Sequence, residues 1–215
     1  MTERSSDQIE KEVQAQLAPL GLKTFGWFDA DNLAGLLIGN VGGSHWEVFQ
    51  SSPEAGDGKP DPMNRWTERV IAPISTVFSC QARYPFGEDI WPFQRYAQAA
   101  TGMKQSPIGL LIHPEYGLWT AFRAALMFEG LNLPKRSVSK PHPCDDCSAK
   151  PCLSTCPINA FTKAGFAYQD CRSYLRTSAG KKCLNSGCLA RKSCSVGREY
   201  LYEDDHQAFH MKAFS

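Results

Sequence analysis

Apolar positions at Ile9, Val13 and Leu17 recur at helical spacing behind Ser5 and Ser6, and Pro19 with Gly21 follows them. The pattern predicts a capped amphipathic helix that stops before Pro19. Residues 23–28 and 33–40 read as two β segments, the second an apolar run running into Gly39, Gly42 and Gly43. Those glycines predict a turn; with no lysine-serine pair or G-x-G-x-x-G, a phosphate cradle is the weaker reading. Residues 51–62, rich in Ser, Pro, Gly and Asp, predict a surface loop. Asp61 and Pro62 then open a helix with Trp66, Val70 and Ile74 on one side and Pro73 inside it. A further helix is expected over 92–100. Residues 107–113 and 118–128 read as two strands about a Pro114-Glu115-Tyr116-Gly117 turn, and 200–214 as a short helix.

Composition changes this picture in one place. All five tryptophans precede residue 120, while eight of the nine cysteines fall between Cys144 and Cys194. An aromatic core is therefore expected in residues 1–135 and a small cysteine module in 136–215, with the proline-rich and lysine-rich stretch 130–143 as linker. With 215 residues and 42% hydrophobic content, the chain suffices for one good core and a small second module. A net charge of +1 gives no footprint for nucleic acid or an acidic membrane surface, so neither is expected as a partner. The start of the chain is polar, without a signal-type apolar stretch, and no run is long enough to span a bilayer. A reducing, cytoplasmic setting is the expectation.

The cysteines read Cys144-x2-Cys147-x4-Cys152-x3-Cys156-Pro157, followed by Cys171, Cys183, Cys188 and Cys194. Eight thiolates make two complete sets of four ligands. Bacterial ferredoxins hold iron–sulfur clusters from runs ending in x3-Cys-Pro, where the fourth cysteine serves the other cluster. The ending here matches, while the x4 gap asks for a wider loop than the ferredoxin x2. Two all-cysteine zinc sites use similar spacings and stay open as a reading. A disulfide framework conflicts with the odd cysteine count and the expected reducing setting. Cys80, far from the others in sequence, reads as a buried apolar residue.

The stretch Gly109-Leu-Leu-Ile-His113-Pro-Glu-Tyr-Gly117-Leu-Trp119-Thr-Ala-Phe-Arg123 resembles two related families. One is the cobalamin-processing trafficking chaperones, which also carry an early Gly-Trp-aromatic strand like Gly26-Trp27-Phe28. The other is the epoxyqueuosine reductases, in which a comparable stretch leads into a two-cluster ferredoxin module. Asp170-Cys171-Arg-Ser173-Tyr174-Leu175 is similar to the reductase segment where a lone cysteine precedes a Ser-Tyr-Leu helix.

The resemblance implies an α+β fold with a nitroreductase-like or cobalamin-chaperone-like antiparallel sheet and flanking helices, plus a small ferredoxin-like iron–sulfur module. Carried over position by position, it implies Cys144, Cys147, Cys152 and Cys194 as ligands of one [4Fe-4S] cluster. Cys156, Cys171, Cys183 and Cys188 would hold the other. His113, Gly117, Trp119 and Arg123 would face a corrinoid, and no catalytic residue is assigned. Read on their own, His113 equally suits a satisfied histidine at a strand end, Gly117 the turn, Trp119 the core, and Arg123 a phosphate or a sheet-surface carboxylate. The implied activity is that of an iron–sulfur oxidoreductase that binds cobalamin and reduces or processes it, fed by an external donor such as ferredoxin or flavodoxin. A ferredoxin-type electron carrier without corrinoid is the alternative.

Overall fold

The computed structural model describes residues 4–133 and 141–215, so the centre of the expected 130–143 linker lies outside the described residues. The chain forms two compact units, Met1–Gly102 with Ala121–Ser139, and Met103–Thr120 with Lys140–Ser215. The stretch Met103–Thr120 thus groups with the cysteine segment and not with the chain on either side of it.

In the first unit, α1 (Ser6–Leu17) starts where the Ser5 hydroxyl accepts from the Gln8 amide, and it buries Ile9, Val13 and Leu17. A left-handed Gly21 turns the chain into β1 (Lys23–Ala30). Asp31 and Asn32, both at positive φ, then return it into the antiparallel β2 (Leu33–Val41), with Ala30 opposite Leu33. Two left-handed residues in a two-residue loop make the hairpin turn whose twist matches its strands, and Asx side chains tolerate that backbone. A bulge between Thr24 and Gly26 shifts the register. At φ 104° Gly26 brings β1 against the helix that carries Ala100, where a side chain would meet the Ala100 carbonyl at 3.0 Å.

Three short elements were not legible in the pattern: α2 (Trp46–Gln50), α3 (Pro53–Gly56) and β3 (Gln81–Arg83). The expected loop 51–62 therefore carries one helical turn. Between α3 and β3 runs α4 (Pro62–Val77), with Pro73 inside and Met63, Trp66, Thr67, Ile71 and Ile74 buried. Asp61 stands at its N-cap position but in a left-handed conformation, without the expected side-chain cap bond. α5 (Phe93–Thr101) follows and ends on a left-handed Gly102.

The chain then enters the second unit through β4 (Lys104–Gln105) and β5 (Leu111–Ile112), and returns with β6 (Thr120–Phe128). The sheet has the order β1-β2-β6-β3, with β1–β2 and β3–β6 antiparallel. Ala34 to Asn40 of β2 are buried without interruption, so this interior strand reads as a continuous apolar run and not as an alternation. Trp27, Phe28, Leu36, Leu37, Ile38, Trp66, Ile71, Leu126 and Met127 form the bulk of this core. Burial of each such side chain is worth about 1.5–3 kcal/mol before chain entropy is subtracted.

The second unit is built from short pieces: α6 (Pro151–Ser154), the β7 (Phe161–Thr162) and β8 (Gly165–Phe166) hairpin, α7 (Tyr168–Leu175), α8 (Lys181–Ser186), α9 (Leu189–Lys192) and α10 (Asp204–Phe214). Ile108, Ile112, Leu118 and Cys152 form its small apolar cluster, with Cys144, Phe161, Cys194 and Val196 packed on it. Cysteine thiols thus stand inside the core and are not appended to it. Among the described residues no helix is long and apolar enough to cross a membrane.

Candidate metal centres

The second unit delivers its cysteines from several short elements. His142 fixes the first of them: its Nε2–H donates to the Gln105 carbonyl of β4 at 2.8 Å, and its Nδ1 accepts from the Cys144 amide at 3.1 Å. A turn brings the Cys147 amide to within 3.3 Å of the Cys144 carbonyl. Pro151, at the first position of α6, starts the helix that carries Cys152, and Cys194 returns just after α9. These four thiols line a cavity of about 20 Å³ together with Ile112, Leu118, Lys150 and Val196.

Cys156 follows α6, Cys171 lies on α7, Cys183 on α8, and Cys188 at the N-cap of α9. They line a second cavity of about 290 Å³ whose remaining wall is largely apolar, with Ile108, Phe161, Leu175 and Phe214 among its residues. Several amides turn toward these sulfurs. The Ala160 N–H donates to Cys156 Sγ at 3.4 Å. The Leu189 amide favours the Cys183 thiolate, and those of Arg191 and Ala190 favour the Cys188 thiolate.

Electrostatics sorts the thiols in the same way. Burial pushes the Cys144 thiol up, and Cys194, Cys152 and Cys147 push it further. Burial also raises Cys152, helped by Cys194 and Cys147. In the other group Cys171 is pushed up to about 11 by burial, with Cys188, Cys156 and Cys183 adding to it. Burial likewise raises Cys183 and Cys188. These five thiols are costly to ionise without a cation beside them, because buried thiolates lose hydration and repel their neighbours. A bound metal centre removes both penalties. Among the described residues no three His, Cys, Asp or Glu converge closely enough to hold a single metal ion. Thiolates around a four-iron cluster each take a different iron, and so stand farther apart than ligands that share one ion.

Cys80 belongs to neither group; it is partly buried in the first unit, and burial pushes its thiol up to about 12. The other expected site residues are placed as follows. His113 is buried, stacks on Tyr116 at 4.2 Å between ring centres, and accepts through Nδ1 from the amides of Glu115 and Tyr116. It closes the 114–116 turn by a bridge to Gly117. Gly117, at φ 58°, lies where a side chain would be 2.0 Å from the Val196 carbonyl oxygen. Trp119 is fully buried, edge-on to Tyr202 and covered by the Arg191 guanidinium. Arg123 is in the first unit, buried on β6, and donates from Nε to Asn40 Oδ1 at 3.3 Å. The four therefore do not form one group within either unit.

Two cations beside the cysteines, Lys150 and Arg191, carry no signal in the sequence that sets them apart from other basic residues. The His142 anchor is equally silent, since its partner Gln105 is 37 positions away.

No family model matches the chain, and no curated protein matches it. Among solved structures the chain is similar to a B12-trafficking protein. That protein is CblC from C. elegans, described as a homologue of human MMACHC, and it matches with a TM-score of 0.56 at 17% identity. The match covers 96% of this chain and 91% of that one. The likeness is one of fold: a mixed α/β architecture with an antiparallel sheet and flanking helices.

Proposed function

We propose that this protein is an iron–sulfur oxidoreductase that holds two [4Fe-4S] clusters in residues 136–215 and binds a corrinoid, which it reduces or processes. The observation that carries the reading is the division of eight thiols into two nested quartets, each around its own cavity. The residues present fit the group: soft thiolate donors in both quartets, amides directed at sulfur in the second, and largely apolar neighbours. Cys144, Cys147, Cys152 and Cys194 would hold one cluster, and Cys156, Cys171, Cys183 and Cys188 the other. When bound, the clusters supply one-electron transfer between an external donor of the ferredoxin or flavodoxin kind and the corrinoid.

The corrinoid part is supported by the fold likeness to CblC, which that protein's description names as B12-trafficking. Trp119 is committed to Tyr202 and Arg191, and the His113 Nδ1 to backbone amides, which favours the electron-carrier alternative at those two positions. On the oxidoreductase reading, His113 and Gly117 act by shaping their turn, and Arg123 by its charge on the sheet.

Anaerobically purified protein should contain about eight iron and eight sulfide per chain, and its visible spectrum should change on addition of hydroxo- or methylcobalamin. Stoichiometric zinc without sulfide would overturn the cluster assignment. Intact clusters with no spectral or calorimetric response to either corrinoid would leave the electron carrier.

A further inference from the structure

Among the described residues that line each quartet's cavity one is a cation, held by contacts that fix its charge in place. Lys150 takes a left-handed backbone at φ 38°, and its ammonium donates to the carbonyls of Cys144 and Cys147, both at 3.3 Å. It lines the smaller cavity, and its charge bears on the thiols of Cys144 and Cys152. A side chain with a Cβ is strained in that left-handed conformation, so the loop keeps this lysine at a conformational cost. Arg191, on α9, lies 4.3 Å from the Trp119 ring and 4.9 Å from the Tyr202 ring. Its Nε and one terminal nitrogen both donate to the Leu118 carbonyl, at 3.1 and 2.6 Å. It lines the larger cavity, and its charge bears on Cys188. Other charges beside the cysteines are exposed, as at Asp145, Asp146 and Lys182, or are turned to other groups: Arg172 donates to the Ser215 carbonyl, and Lys192 to the Ser186 carbonyl and to Asp204.

We propose that Lys150 and Arg191 are resident counter-charges, one for each quartet, and that each sets the reduction potential of its own metal centre. The inference rests on the cluster reading. A centre held by four thiolates is anionic, and reduction by one electron from an external donor adds a further negative charge. A fixed cation lining the same cavity, partly shielded from water, stabilises the reduced form more than the oxidised one. Its removal therefore makes the potential more negative, by roughly tenfold in the reduction equilibrium, or about 59 mV for one electron. Arg191 is kept in place by its two aromatic neighbours and Lys150 by its two carbonyls, so neither charge needs a carboxylate partner that would cancel it.

The test is potentiometric titration of the whole anaerobic protein, which yields one midpoint per centre, in wild type and in Lys150→Gln, Lys150→Arg, Arg191→Gln and Arg191→Lys. Lys150→Gln should move one midpoint to more negative potential and Arg191→Gln the other, while the two charge-conserving variants keep both near wild type. The proposal is overturned if neither Gln variant moves a midpoint, if both move the same one, or if the conservative variants shift as far as the neutral ones. Where Arg191→Gln does not accumulate as folded protein, Lys150→Gln against Lys150→Arg decides: a shift in one midpoint confined to Gln supports the assignment, and no shift or equal shifts overturn it. Iron missing from the wild-type protein would count against the cluster reading itself, and would be evident from metal analysis before any potential is measured.

Discussion

Glu54 shows how much one side chain's setting can alter its chemistry. Only 8% exposed, it receives two hydrogen bonds from the Arg69 guanidinium. That contact holds its carboxyl at about 2, against an ordinary 4.5. A group whose pKa is lower folded than unfolded stabilises the protein above the unfolded value, and this contribution fades as pH falls toward the folded one. The stabilisation should therefore be complete near neutrality and disappear between about pH 4.5 and pH 2. Because Arg69 is half exposed, water screens the pair, and about 1 kcal/mol is the expected worth. Chemical denaturation should find Glu54→Gln weaker by that amount at neutral pH and level with wild type near the acid end. Curves that stay parallel across the acid range would show that the pair adds nothing.

Among the elements, the 107–128 stretch separates what a sequence pattern can and cannot carry. Its apolar runs and the Pro114–Gly117 turn make a hairpin the natural reading, and the turn does form, closed by the His113–Gly117 bridge. The arms nevertheless part. Gly109 at φ 81° ends the first one early, and Leu111–Ile112 pair back onto Lys104–Gln105, while Thr120–Phe128 enters the main sheet. Apolar periodicity records that a strand is buried but not which strand covers it. The helices were more legible, since α1, α4 and α5 carry their own spacing and start or stop signals, and α10 has Asp204 and Asp205 in its first turn and Lys212 in its last.

Gly117 illustrates the same limit at the site. The resemblance implies close approach of a corrin at Gly117, a turn being the other reading; within the chain the close approach there is to Val196 and Gly197. Both Gly117 and Gly109 have positive φ, but a side chain at Gly109 meets nothing within 4 Å. Gly109→Ala should cost only the backbone strain, about 1 kcal/mol. Gly117→Ala adds a collision with the Val196 backbone and should cost about 2 kcal/mol or more, together with iron from the adjacent centre. Denaturant midpoints and iron content for the pair would test this; equal, small losses in both would remove the close approach from the explanation.

At the scale of the whole molecule, spacing in the sequence announced the eight thiols, and the fold explains why their order looks irregular. The quartet of Cys144, Cys147, Cys152 and Cys194 encloses the other in sequence, with Cys156, Cys171, Cys183 and Cys188 all inside its last gap. Cys152 and Cys156 are four residues apart yet line different cavities, because the chain leaves α6 between them. What the sequence could not supply was the surround: the amides at the start of α9, the His142 anchor and the cations, all set by contacts between distant segments. This nesting makes the connectivity testable without resolving the two centres spectroscopically. Loss of one ligand should open its own quartet while the other stays closed, since each has its own cavity wall. In Cys194→Ala, anaerobic alkylation followed by mass spectrometry should label Cys144, Cys147 and Cys152, and spare Cys156, Cys171, Cys183 and Cys188. Cys171→Ala should give the converse, with Cys156, Cys183 and Cys188 labelled. Bound iron should fall to about half in each, as expected for the loss of one of two equal clusters. The same cysteines opening in both variants would mean that the thiols are not partitioned as the two cavities divide them.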